Sequence, residues 1–98
     1  MNLEQLKQKL KPALHAYEIE GVTIYIHRPS QRDLPLCIDT ESTIIYCTKD
    51  ENGDSIFSST DIDGRVNINT LDFQYVNSIY MAIMDLVAKS KVDEVEKK

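Results

Sequence analysis

Late in the chain, Val76, Ile79, Tyr80, Ile83, Leu86 and Val87 recur every three or four residues. Over three turns of an α-helix this spacing draws one continuous apolar stripe. Phe73 and Met84 widen it. Most of so broad a face must be core, because the chain has few other large apolar elements. The spacing predicts a helix from about Leu71 to about Lys89, within 70–89. Asn69 or Thr70 would be its N-cap, with Asp72 in the first turn complementing the helix dipole. The charge-mixed segment 91–98 predicts a frayed tail.

A second helical stripe lies at the other end. Leu3, Leu6, Leu10 and Leu14 recur at spacings of three and four, within 1–14, with Lys7 and Lys11 off the stripe. Pro12 ends that helix near Lys11. Residues 17–28 then alternate apolar and polar, rich in β-branched and aromatic side chains. Glu20-Gly21 supplies a tight turn, so this segment predicts a hairpin with its stronger strand second. Val22, Ile24 and Ile26 would share one face; Thr23, Tyr25 and His27 the other. Beyond Arg28-Pro29, Ser30 and Asp33 have the spacing of a capping box, and Pro35 limits any helical turn there.

Thr43-Ile44-Ile45-Tyr46-Cys47-Thr48 is ambiguous. Its β-branched residues suit a buried strand. Asp39 or Thr40 as N-cap, followed by Glu41, would suit a short helix. The chain of 98 residues is thus read as one α+β domain: an N-terminal β-hairpin with amphipathic helices, an apolar run and acidic connector over 40–63, and a long C-terminal helix.

The formal net charge of −5 argues against binding to nucleic acid or to an anionic membrane, both of which need clustered cations. For a basic patch inside this acidic chain, Lys7, Lys9 and Lys11 are the only candidate. The polar N-terminus lacks a secretory apolar region, and no apolar run reaches the length of a membrane span. Two cysteines, Cys37 and Cys47, are too few for a disulfide framework and predict reduced thiols in a cytosolic protein.

The acidic connector from Lys49 to Asp63 superficially resembles a calcium loop. Counted from Asp50, oxygen-bearing side chains fall at most EF-hand ligand positions. Gly53 comes at the fourth position where the sixth is needed, and Asp61 replaces the bidentate Glu. A solvated Asn52-Gly53 turn flanked by acids is the better reading, and it predicts no calcium-dependent change in melting temperature. Zinc would need His15, His27, Cys37 and Cys47, which no paired spacing preorganises; His15 reads as a helix-end residue, His27 as a polar strand-edge residue and the cysteines as buried thiols. Neither histidine lies in a local motif with a cysteine, so no activated nucleophile is indicated. With three glycines there is no phosphate-cradling loop. The expected cofactor and metal content is none, and the expected class is not an enzyme.

Several segments together resemble a known family. These are Gly21-Val22-Thr23-Ile24-Tyr25-Ile26-His27-Arg28, then Asp50-Glu51-Asn52-Gly53-Asp54-Ser55-Ile56-Phe57-Ser58, the acidic turn Asp61-Ile62-Asp63, and a helix ending Ala82-Ile83-Met84-Asp85-Leu86. From about Glu18 to Leu86 the chain looks like the small tail assembly chaperones of long-tailed bacteriophages. The resemblance leans toward helix at Thr43 to Thr48. It implies a protein without a catalytic site that coats the tape measure protein and helps recruit tail tube subunits. It would act in the host cell cytoplasm and be absent from the mature virion. Leu3, Leu6, Leu10, Tyr75, Tyr80, Met81 and Met84 are the candidate partner-binding residues, since Met and Tyr suit adaptable interfaces. Self-association into a homo-oligomer through helix faces is also expected. Competing readings are a structural virion protein, such as a head–tail connector or tail completion protein, and a phage regulator that binds a host protein.

Overall fold

A computed structural model of the chain describes the main chain of residues 1–96 and the side chains of residues 1–89. The C-terminal helix α3 spans Phe73–Glu96. Asp72 opens it: its Oδ1 accepts the Gln74 N–H at 2.9 Å, and its carbonyl accepts the Tyr75 N–H at 3.1 Å. Asn69 and Thr70, the expected caps, are occupied elsewhere. Asn67 Oδ1 accepts the Asn69 N–H at 2.9 Å and Thr70 Oγ1 donates to the Asn67 carbonyl at 2.7 Å, closing a 3-10 turn over Ile68–Thr70. The helix therefore starts later than its apolar spacing suggested. Phe73 is 78% exposed, and Leu71, ahead of the helix, packs against the core instead. The helical main chain continues past Lys89, the expected end. The frayed tail expected at 91–98 concerns side chains, and Lys97 and Lys98 entirely, outside the described residues.

Strands β1 (His15–Ile19) and β2 (Val22–Ile26) form the expected hairpin, paired from Ile19–Val22 to His15–Ile26. The strand begins at His15, so His15 is a strand residue and not a helix end. Glu20 and Gly21 have φ of 49° and 79°. Two successive positive φ values give the turn whose twist matches a two-residue hairpin. Glycine adopts that conformation freely; Glu20 adopts it against its Cβ. Ile24 and Ile26 are buried, but Val22 is 59% exposed. The shared face breaks at the turn end, where an open groove lies beside Val22.

Thr40–Cys47 is a helix, α2. Asp39 Oδ1 accepts the Ser42 N–H at 2.8 Å while Ser42 Oγ accepts the Asp39 N–H at 3.1 Å, a reciprocal capping box. That cap, and burial of Thr43, Ile44 and Cys47, override the strand preference of the β-branched run. The chain then extends into β3 (Thr48–Lys49), which pairs antiparallel with β2 and makes the hairpin a three-stranded sheet. Thr48 is fully buried, its hydroxyl satisfied by the Ile44 carbonyl at 2.7 Å. The acidic connector contributes β4 (Phe57–Ser58), parallel to β5 (Val66–Asn67). Between β2 and α2, Ser30 Oγ accepts the Asp33 N–H at 3.2 Å, and Pro35 sits in a single 3-10 turn over Leu34–Leu36.

The core joins Ile24 and Ile26 from the sheet, Ile44 and Cys47 from α2, Phe57 from β4, Ile68, and Ile79 and Ile83 from α3. Helix α1 (Leu3–Leu10) is outside it. Asn2 Oδ1 caps its first turn by accepting from the Glu4 and Gln5 N–H groups. None of its residues is buried: Leu3 is 71% and Leu10 75% exposed. Leu14 lies beyond the helix, in the extended link to β1.

Candidate functional site

The turn end of the hairpin, the start of β4 and the first turns of α3 enclose an open groove of about 560 Å³. Ile19, Val22 and Ile24 of the hairpin, Ile56 and Phe57 of the connector, and Tyr75 and Ile79 of α3 line it. These residues lie far apart in sequence; the turn at Glu20-Gly21 and the late start of α3 bring them together. Two acidic residues, Glu20 and Asp50, are also among the groove's lining. The Glu20 carboxylate lies beside the Tyr75 hydroxyl and holds its pKa above the ordinary phenol value.

The acidic connector is folded around Asp50. Its Oδ1 accepts the Asn52 N–H at 2.8 Å and the Asp54 N–H at 3.0 Å, and Gly53, at φ 85°, closes the turn. This carboxylate oxygen is committed to main-chain donors. Ile56 and Phe57 anchor the connector, Phe57 buried and Ile56 half-buried against the core. Among the described residues, no three His, Cys, Asp or Glu side chains lie together as a metal site would need.

The thiols are poorly suited to nucleophilic chemistry. Burial pushes the Cys47 thiol up to about 12, and burial raises half-exposed Cys37 beside it. Thiolate is the reactive form, and it is scarce at neutral pH for both. His27 is buried and not at a strand edge: its main-chain N–H donates to the Cys47 carbonyl at 3.0 Å, and its ring Nδ1 lies 2.7 Å from the Arg28 carbonyl. Burial lowers its pKa below the ordinary imidazole value.

Compared with protein-family models, curated proteins and solved structures, the chain matches none.

The sequence-derived partner residues do not form one surface. Leu3, Leu6 and Leu10 are exposed on α1. Tyr75 stands on the groove wall. Tyr80 and Met84 are half-buried against the core, while Met81 points outward at 53% exposure. Ile19, Val22, Ile56 and Leu71 of the groove escaped the sequence reading, since each looks locally like an ordinary core position; exposed Val22 is the clearest case. The basic cluster also differs from expectation. Lys11 lines a second cleft of about 510 Å³ with His27, Arg32, Lys49 and Arg65, from four separate segments. Within it Arg32 pairs with Asp33 at 3.2 Å, and the Lys49 ammonium donates to the Tyr46 carbonyl at 3.0 Å. Burial lowers the Lys49 pKa. No helix among the described residues is long and apolar enough to cross a membrane.

Proposed function

We propose that this protein is a non-enzymatic interaction domain that receives an amphipathic helix of another chain, and that it serves as a tail assembly chaperone of a long-tailed bacteriophage. The groove carries this reading. An apolar trough beside a helix, with two acidic residues among its lining, suits the apolar stripe of a second helix flanked by basic residues. The tape measure protein, long and helical, is the client implied by the family resemblance, with the tail tube protein as second partner. The protein's net negative charge keeps a complex of this kind dispersed. It would work in the host cytoplasm and leave before the virion matures.

Co-expression with the tape measure protein tests the reading. Wild type should keep the client soluble and co-purify with it, and Val22→Asp, which puts a charge on an exposed groove wall, should abolish capture. A client equally soluble without this protein refutes the chaperone role. Mass spectrometry of mature particles should find the protein absent; its presence there would make it a structural virion component instead.

A further inference from the structure

The chain carries its own ligand for the groove. Helix α1 has eight residues, so it is about 12 Å long. It is capped at Asn2, and none of its residues is buried. At about 100° per residue, Leu3, Leu6 and Leu10 fall on one stripe, with Lys7 and Lys9 on its two flanks. The groove is the complement: an apolar trough that has the acidic residues Glu20 and Asp50 among its lining. A trough of about 560 Å³ is within the range of sites that enclose drug-sized ligands, and it has room for leucine side chains.

Within one molecule, the helix and the groove lie at opposite ends of the hairpin. Helix α1 joins β1 at His15, which pairs with Ile26, whereas the groove borders the turn at Glu20. Five strand residues, about 17 Å, separate the two ends. The C-terminal end of α1, from Lys9 to Lys11, lies near Arg28 and Pro29, at the far side from the groove.

We propose that the groove of one copy is filled by α1 of a second copy, giving a symmetric dimer. Under twofold symmetry each chain donates one helix and receives one, so a single pair of complementary surfaces is used twice. Leu3, Leu6 and Leu10 enter beside Val22 and Tyr75, and Lys7 and Lys9 meet Glu20 and Asp50. The inference rests on the groove being a helix receptor, as proposed above, but not on the identity of the client. Because helix and client compete for one trough, dimerisation covers the apolar surface until a client displaces α1.

Sedimentation equilibrium of the purified 98-residue chain tests this. Wild type should dimerise reversibly, and Leu6→Asp and Val22→Asp should each raise the dissociation constant about tenfold or more, as loss of a buried leucine or valine contact implies. Both positions are exposed in the single chain, at 42% and 59%, so neither change enters the core. Circular dichroism checks that each variant keeps the wild-type fold. An equimolar mixture of the two variants should recover part of the association, because the intact helix of one fits the intact groove of the other. A second pair, Lys7→Glu with Glu20→Lys, should weaken association singly and restore it when mixed. A monomeric wild type overturns the proposal, leaving the groove to another protein. A dimer insensitive to either variant, or one whose mixture shows no recovery, overturns it too. Leu6→Asp should still capture the client, so loss of dimer with retained capture separates this proposal from the chaperone role.

Discussion

The guanidinium Nε of Arg28 donates to the main-chain carbonyl of Leu86 at 2.9 Å, across 58 residues of sequence. The bond ties the segment leaving β2 to the middle of α3. Arg28 is half-buried there, so the charge has exchanged part of its hydration for this acceptor. Charged hydrogen bonds contribute about 1.5–3 kcal/mol. Arg28→Met keeps the apolar stem and removes the donor, and it should lower unfolding free energy by about that amount in urea titration. Arg28→Lys should recover little, because lysine has a methylene where arginine has the Nε–H donor.

Ile83 is fully buried where α3 meets the core, whereas Met81, two residues earlier, is 53% exposed. Ile83→Ala should cost about 2–5 kcal/mol through lost burial and the cavity left behind. Met81→Ala should change stability by less than about 0.5 kcal/mol. Denaturant melts of the two variants check both values; comparable losses would mean that the stripe faces the wrong way.

Stability should rise with pH in the weakly acidic range because of His27. Its folded-state pKa lies below the ordinary 6.5, with burial the leading cause, opposed by the Arg28 carbonyl; nearby Lys49 lowers it further and Asp33 raises it. The unfolded chain therefore binds the proton more readily. Stability is fully present above 6.5 and is lost as pH falls from there toward the folded value. One proton bounds the slope at about 1.4 kcal/mol per pH unit. Urea melts from pH 7.5 downward should show a slope of this sign and no steeper than that bound, and His27→Gln should flatten it.

Cys47 should resist alkylation in the native protein at pH 8, its thiol being fully buried and held at about 12. Cys37, half-exposed and raised less far, should react first and slowly. Both should react in urea. Mass spectrometry of iodoacetamide adducts resolves the order; rapid native labelling of Cys47 would contradict its place in the core.

The elements most legible in sequence are those set by local chemistry. The three-to-four spacing of Ile79, Ile83 and Leu86 is itself the geometry of a helix face, and a two-residue turn with Gly21 leaves the hairpin little choice of register. The Ser42 partner of Asp39 is equally local, yet the capped helix competes there with a β-branched run. That contest is settled by Ile44 and Cys47 becoming buried against α3, a long-range contact that no window of sequence contains.

The sequence by itself determined two amphipathic helices, a hairpin with a tight turn, and an acidic connector anchored by Phe57. Tertiary structure alone decided which apolar faces are covered. Leu6 and Ile83 belong to similar stripes, but within one chain α1 meets no second layer and stays exposed, while α3 meets α2 and the sheet. The groove and the basic cleft are likewise products of packing. Val22 and Tyr75 line one groove, and Lys49 and Arg65 one cleft, because chain segments distant in sequence close around one shared core. Periodicity fixes which side chains share a face; burial, which depends on every other element at once, fixes what that face meets.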